Sequence, residues 1–502
     1  MYRDVWGNIV LADEWRKTVI TPLFKNKGSR KEPKNYRGLS IGSSFLKLAM
    51  AIILERIKTW YNKQLLLNQN GFRQFFGCPD AIFTIKSLHH NSVRLKKETF
   101  LLFVDLTAAY DWCVRSWLFQ SINNRIHEDD TPTSTCFRIM EELYLKTEAA
   151  LKSDKPKYFE TTSGVRQGGP ESPNLFNLYL DYVMRIYNEK VKDLGISVKY
   201  NYRIKDQARK RGDKYRGVGE YPWVGYADDL TLVADSAANL QLAANIFTDI
   251  LSRFGLVLSI DKTESMILNY QGESYPENII TINNQKIKNV KSFKYLGAIL
   301  SYNEAGTSNL EISNRIAMAN AKFASLKKLL CNYHLRLSIR IRFYEVYVRS
   351  RLCYCCETWT LTKHQLQQIE AAHMNFLRRM VRGGMNRKTS QTEISEAKKR
   401  ALKGELEDLV SIDWSWKFNN NKITHLTKTP SMSDYIENQN IKWVAHICRA
   451  SNEALTKQLM FTDEKFTKVG NRPHTVYENV IKIVQEKYGK SVETFLKESC
   501  KK

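Results

Sequence analysis

An α+β fold with a ferredoxin-like core, continued by a mainly helical C-terminal region, is predicted by three features of the sequence. Phe100-Leu101-Leu102-Phe103-Val104-Asp105 is an unbroken apolar run ending in a carboxylate, which suits a strand covered on both faces. Trp223 to Ala234 reads as two strands hinged at Ala227-Asp228-Asp229, a hairpin pattern. From Ala319 onward the apolar spacing is helical, with Leu337, Ile341, Tyr344 and Val348 on one face and Arg336 and Arg340 sharing another.

Taken in chain order, residues 20–40 hold Pro22, Gly28, Pro33 and Gly38 among many lysines and arginines, so they read as loops and short strands carrying positive charge. Phe45, Leu48, Ala49, Ile52, Ile53, Ile57 and Trp60 recur at helical spacing, which predicts an amphipathic helix burying one face. The strand ending at Asp105 comes next, and Asp111 is placed to cap a following helix. Ser163 to Glu171 is a turn-rich loop. Ser172-Pro173 caps and opens a helix whose apolar face holds Phe176, Tyr179, Leu180, Val183, Ile186 and Tyr187. After the hairpin, Ala238 to Phe254 reads as helix and Leu256 to Ile260 as strand. Strand, helix, hairpin, helix and strand in this order are compatible with a ferredoxin-like core. Beyond about residue 390 the pattern is polar, mixed and weakly informative.

Composition narrows the function. The chain has 502 residues, 43% of them hydrophobic, which at roughly 150 residues per domain suits several packed units and excludes disorder or a collagen-like repeat. No apolar stretch approaches the ~20 residues of a bilayer crossing; the best candidate, Phe45 to Ile57, is broken by Lys47, Glu55 and Arg56. No membrane partner is expected. The opening Met1-Tyr2-Arg3-Asp4 lacks a secretory signal pattern. Nine cysteines, of which only Cys353, Cys355 and Cys356 cluster, give neither a disulfide framework nor a paired zinc site, so an intracellular, reducing setting is expected. Lysine and arginine total 77 against 52 acids, a net charge of +25. That excess fits a nucleic-acid binder, an anionic-surface binder or simply a soluble surface. Tyr200, Tyr202 and Tyr215 stand among Lys199, Arg203, Lys205, Arg209, Lys210, Arg211, Lys214 and Arg216. That pattern suits phosphate neutralisation and base stacking, and equally a solvated loop. Arg209-Lys210-Arg211 is in addition a weak basic signal for nuclear entry.

The chemistry rests on carboxylates. If the strand ending at Asp105 and the hairpin tip at Asp228 and Asp229 are neighbours in one sheet, three acids converge at one edge. Crowded carboxylates repel, and a hard divalent cation relieves them; Mg²⁺ takes one or two carboxylates plus phosphate oxygens. Two such ions ~4 Å apart would activate an attacking hydroxyl and stabilise the leaving oxygen in phosphoryl displacement. Either element alone also fits an ordinary turn or strand end. It is their joint occurrence with apolar flanks, a Gly-rich loop carrying Gln167 and a basic chain that points to this chemistry.

Several segments together resemble the reverse transcriptases of retrotransposons lacking long terminal repeats, the LINE-type elements. They are Phe103 to Asp111, Gly164-Val165-Arg166-Gln167-Gly168, Tyr226-Ala227-Asp228-Asp229, Gly255 to Glu264 and Phe293-Lys294-Tyr295-Leu296-Gly297, in the family's order. Pro22-Leu23-Phe24-Lys25, Asn35 to Ser40 and Gln69-Asn70-Gly71-Phe72-Arg73 match that group's extended fingers motifs, and Glu357 to Thr362 and Lys442 to Arg449 resemble segments following its polymerase. The resemblance implies a right-hand polymerase: N-terminal extension and fingers over 1–98, palm with fingers insertions over 99–304, thumb over 305–390 and a C-terminal extension over 391–502. It also implies RNA-directed DNA synthesis from an RNA template, a DNA primer and dNTPs with two Mg²⁺, inside the cell in cytoplasm and nucleus.

Residue by residue, the resemblance gives Asp105, Asp228 and Asp229 as the metal triad and Lys262 as the acid for the pyrophosphate leaving group. Tyr110 stands at the steric gate against a ribose 2′-hydroxyl. Gln167 and Gly168 contact nucleotide and template, and Arg37 grips the triphosphate. Lys294, Tyr295, Leu296 and Gly297 form the primer grip, and Arg336 and Arg340 a thumb surface along the duplex. The chain departs from the family pattern at Gly169-Pro170-Glu171, where Glu171 brings an unexpected negative charge, and at Cys355-Cys356 and Val444-Ala445. Related elements carry an endonuclease upstream of the polymerase; here it is expected as a separate module. A non-catalytic nucleic-acid-binding remnant and another palm-type polymerase are the alternatives.

Overall fold

The computed structural model describes residues 2–3, 9–26, 28–127, 130–153, 156–205, 214–304, 306–381, 385–387, 414–416, 418–462 and 476–489. The basic run Arg209-Lys210-Arg211 and the side chain of Tyr215 lie outside them. The chain forms two compact units, one of residues 1–297, 301–305 and 450–468, the other of 298–300, 306–449 and 469–502.

The first unit is organised by a βαββαβ core. Its elements are β1 (Thr99–Val104), α1 (Ser172–Asp193), β2 (Trp223–Tyr226), β3 (Asp229–Ala234), α2 (Ala237–Arg253) and β4 (Glu264–Leu268). The strands lie in the order β2-β3-β1-β4, with β1 antiparallel to both β3 and β4, which is the ferredoxin-like arrangement. Two further strands, Gln285–Asn289 and Asn278–Ile282, extend the sheet beyond β4. All six residues of β1 are buried, as expected of a central strand covered on both faces. The helices α1 and α2 pack together and α2 lies against β1 and β3; Phe176, Tyr179, Leu180, Val183 and Tyr187 face the core.

A second sheet pairs Tyr36–Ile41, Lys17–Phe24, Thr147–Leu151 and Phe159–Thr161 in that order. A long hairpin, Val198–Lys205 with Lys214–Tyr221, stands apart from both sheets. Residues near the C-terminus return to it: Arg203 N donates to the Phe461 carbonyl at 3.0 Å, and Tyr202 bridges to Thr462. Tyr200 and Tyr202 are consequently buried. They pack within the protein and are not presented as stacking platforms.

Local readings differ from the sequence in four places. The helix Ser44–Gln64 buries Leu46, Met50, Ile53, Ile57 and Tyr61, whereas Phe45, Leu48 and Ile52 are 78%, 62% and 52% exposed. The segment is apolar on two stripes, and spacing alone does not choose between them. Asp111 lies inside the short helix Ala109–Trp112, its carboxylate turned to Gln167 and not to a cap. Glu171, not Ser172, holds the cap position of α1. Residues 256–260 form no strand; Thr107 N donates to Val257 O and Ser259 N to Asp105 O at 2.8 Å each. They clasp the end of β1 irregularly, and the strand paired with it begins at Glu264.

In the second unit the helices Asn309–Ser325, Leu337–Tyr344, Lys363–Met380 and Met432–Arg449 supply one apolar core. Ile341, Tyr344 and Val348 are buried in it and Leu337 packs against it, as the spacing predicts. Among the described residues no helix is long and apolar enough to cross a membrane.

Candidate active site

Asp105 follows the last residue of β1 and Asp229 is the first of β3. Val104 stands opposite Leu230, so one further step along the antiparallel ladder sets Asp105 opposite Asp229, at a Cα separation of roughly 5 Å. Asp228 lies in the two-residue turn that joins β2 to β3, where Tyr226 pairs with Asp229. Sheet register therefore gathers the three carboxylates at one edge. Both loops that carry them pass through an alanine in the left-handed region, Ala108 at φ +46° and Ala227 at φ +55°, each costing roughly 1–2 kcal/mol. Such strain persists where surrounding structure over-determines it.

The acids are under electrostatic pressure. Burial, then the charge of Asp105, raises the Asp228 carboxyl above its ordinary value, while its own backbone amide and Arg37 pull it back. Asp229 is pushed up to about 6 by burial, by Asp228 and by Asp105. Among the described residues the one cation in ion-pair contact with the three is Lys262, whose Nζ lies 2.9 Å from Asp105 Oδ2. Lys262 thus braces Asp105, and reaching a leaving phosphate requires it to let go. Thr263 Oγ1 donates to Ser259 O at 2.8 Å and approaches the Asp105 amide at 3.4 Å.

These donors fit a hard divalent cation. All are carboxylate oxygens, they repel one another, and an ammonium already stands in for part of the missing positive charge. No three acids or imidazoles among the described residues enclose an ion by themselves, in keeping with Mg²⁺ sites that draw the remaining ligands from water and phosphate.

Of the residues expected on the nucleotide side, Tyr110 and Arg37 interact with Asp228, and Gln167 and Gly168 lie against Asp111 and Ser40. The Tyr110 ring stacks on Phe176 at 4.5 Å with a 17° interplanar angle. Burial first and then the Asp228 charge raise the pKa of its hydroxyl, in keeping with a partly buried ring near that carboxylate. Gln167 Nε2 donates to Asp111 Oδ1 and Oδ2 at 3.1 and 3.2 Å, and the Gln167 carbonyl accepts from Ser40 N at 2.7 Å. Gly168 has φ +119°, and a Cβ there would lie 2.9 Å from Ser40 O, so glycine is required for this close backbone approach. Arg37, exposed on Tyr36–Ile41, is near enough to lower the Asp228 carboxyl.

Glu171 is buried with its Oε1 accepting from Tyr144 Oη at 3.0 Å. The charge that departs from the family pattern is thus enclosed by the protein, with Oε2 left without a hydrogen-bond partner. In the hairpin Ser292–Tyr295/Ala298–Ser301, Leu296 at φ +46° and Gly297 at φ +87° make the tight turn. Phe293 stacks on Phe103 at 3.8 Å, Tyr295 is buried, and Lys294 is the exposed cation.

The second unit corrects one expectation. Arg336 is exposed at the start of its helix, but Arg340 is buried and donates to the carbonyls of Leu335, Leu330 and Met380 at 3.2, 3.2 and 2.6 Å. It ties together the ends of the helices that close at Leu330 and Met380 and has no free surface for a duplex.

The sequence gives Gln69 only as part of a motif, yet its side chain reaches the turn that carries Asp228. Its Oε1 accepts from Ala227 N and Gly71 N, and its Nε2 donates to Ala227 O. A polar Gln69-Asn70-Gly71 followed by Phe72 and Arg73 is the only signal in the sequence.

Residues 25–300 match the family described as reverse transcriptase (RNA-dependent DNA polymerase). The chain is 25% identical over 258 residues to the Pol polyprotein of the type-2 retrotransposable element R2DM of Drosophila melanogaster, covering 51% of this chain and 22% of that protein. It is 25% identical over 307 residues to the Pol polyprotein of the type-1 retrotransposable element R2 of Nasonia vitripennis, covering 59% and 27%. The matches span about a quarter of the length of these relatives. A solved telomerase from Candida tropicalis, in complex with a fragment of telomeric RNA, aligns with a TM-score of 0.44 at 10% identity, covering 90% of this chain and 65% of that one.

Proposed function

The chain belongs to the reverse transcriptase family, and from that premise we propose that it copies an RNA template into DNA for a retrotransposon lacking long terminal repeats. The observation that carries the proposal is the register that sets Asp105 opposite Asp229 with Asp228 on the adjoining turn. The primer 3′-hydroxyl attacks the α-phosphorus of a dNTP, the bond to the bridging oxygen breaks, and pyrophosphate leaves.

Divalent ions of this family, here two Mg²⁺, lower the pKa of the attacking hydroxyl and neutralise charge on the leaving oxygen when bound. Asp105, Asp228 and Asp229 would hold them. Arg37 meets the triphosphate and counters its charge. The Tyr110 ring, fixed on Phe176, fills the space of a 2′-hydroxyl. Gln167 is oriented by Asp111 toward the nucleotide, and Lys262, freed from Asp105, is positioned to give a proton to pyrophosphate. Lys294 and the Tyr295-Leu296-Gly297 turn support the primer end. RNA template and DNA primer are the partners, strand cleavage falls to a separate endonuclease module, and the setting is intracellular with access to the nucleus.

Purified protein should extend a DNA primer on an RNA template with Mg²⁺ and dNTPs, and Asp228→Ala should lower the rate at least ~10³-fold, the equivalent of several kcal/mol of lost charge stabilisation. An active Asp228→Ala protein would refute the site.

A further inference from the structure

Gln69 is 2% exposed and its amide closes on a single residue from both sides. Oε1 lies 2.7 Å from Ala227 N and 2.9 Å from Gly71 N, and Nε2 lies 3.2 Å from Ala227 O. The backbone around it docks on the same turn. Asn70 N donates to Gly225 O at 2.8 Å and Gly225 N to Asn68 O at 2.9 Å, while Asn68 Nδ2 donates to Trp223 O at 2.7 Å. A Cβ on Gly71 would fall 2.3 Å from Ala227 N, so the approach depends on that glycine. From the other side, Asn177 on α1 donates to Gly71 O at 2.7 Å. A buried polar chain thus runs from α1 through the Gln69 segment to the residue before Asp228.

Ala227 sits at φ +55°, a conformation that L-residues disfavour. We propose that Gln69 is a positioning residue for the catalytic turn: by holding both the N–H and the C=O of Ala227 it keeps the left-handed conformation that aims Asp228 at Asp105. This rests on the polymerase reading for its consequence in catalysis. Without the clamp the Ala227 peptide relaxes, the carboxylate pair loosens and divalent ions bind less tightly. Arg37, Gln167 and Tyr110 are not held by Gln69, so nucleotide binding is spared.

The test compares the full chain with Gln69→Ala, Ala227→Gly and the double variant, reading Mn²⁺ affinity by calorimetry, kcat and dNTP KM by primer extension, and melting temperature. Gln69→Ala should weaken Mn²⁺ binding about tenfold and lower kcat about 10²-fold, the scale of an ångström of misplacement, with dNTP KM within about threefold of the parent. In the Ala227→Gly background the same removal should cost several-fold less, because glycine adopts positive φ without a steric penalty. Equal losses in both backgrounds, or losses that follow only the folded fraction, overturn the inference, as does unchanged Mn²⁺ affinity. If the parent copies no template yet Gln69→Ala still weakens Mn²⁺ binding with the background dependence described, the polymerase reading fails and the positioning role stands.

Discussion

Charges at the sheet edge of the first unit and charges in the core of the second unit are treated in opposite ways. Asp105, Asp228 and Asp229 share one ion-paired cation among the described residues, Lys262, and two of the three carboxyls are raised by burial and mutual repulsion. In the second unit Glu311 accepts from Arg315 Nε at 2.6 Å and from Ile299 N at 2.7 Å, and Arg315 also lies over the Tyr354 ring. Both residues are buried and matched. Buried charge with its partners in place serves architecture, whereas charge gathered without them is a store of unmet interaction that a ligand can satisfy.

The comparison breaks most sharply under the same chemical change, acid to amide. Asp229→Asn removes a repelled charge, so polymerase activity should fall by orders of magnitude while the melting temperature holds or rises, the trade expected of a strained site. Glu311→Gln leaves Arg315 buried without its counter-charge, at a cost of about 3–5 kcal/mol, and should lower the melting temperature. Primer extension and thermal melts on the two variants separate the cases; a destabilised Asp229→Asn protein would remove the contrast.

Two arginines four residues apart sharpen it further. Arg340→Met strands three buried carbonyls and should cost about 3 kcal/mol of stability, read as a lower urea midpoint. Arg336→Ala should leave the midpoint unchanged. If the exposed Arg336 meets a phosphate, its loss reduces the salt slope of nucleic-acid binding by about one unit.

What the sequence made legible follows the same division. The carboxylate cluster could be read because each acid ends an apolar run, and strand periodicity plus antiparallel pairing fixes the register. Arg340 could not, since its helical spacing to Arg336 is that of a surface stripe, and only the carbonyls of Leu330, Leu335 and Met380, brought in by other segments, decide its burial. The strand after α2 was misplaced because Leu256-Val257-Leu258-Ser259-Ile260 is as apolar as Ser265-Met266-Ile267-Leu268, and the choice rests on which segment completes pairing with β1. The role of Gln69 was beyond reach for another reason: its partner is a backbone turn far along the chain, and no periodicity marks a glutamine that hydrogen-bonds a main chain.

A smaller effect concerns the nucleotide side. Tyr110→Ala removes a ring braced by Phe176, leaving room for a 2′-hydroxyl, and should relax discrimination against ribonucleotides by roughly 10–200-fold. Competing dNTP and NTP incorporation measures it, and unchanged sugar selectivity would detach Tyr110 from the carboxylate site.

The mildest contrast is in acid. Each unit buries a histidine: burial pushes His89 down to about 4, against a backbone hydrogen bond with Tyr302, and burial, then Arg349, pushes His373 down to about 3, against a backbone hydrogen bond with Pro430. His373 Nδ1 also pairs with Tyr344 Oη at 2.6 Å. In both, the folded value lies below the ordinary ~6.5 of the unfolded chain. The unfolded state therefore takes up the proton first, and stability is complete above pH 6.5 and lost as pH falls toward each folded value. By pH 5 each histidine should contribute a loss of about 2 kcal/mol. Urea unfolding at pH 7.5 and pH 5 should show a smaller acid loss for His89→Gln and for His373→Gln than for the parent. Both contributions grow as pH falls from 6.5 toward 4, so an acid loss that neither His89→Gln nor His373→Gln reduces would detach the buried histidines from the acid limb.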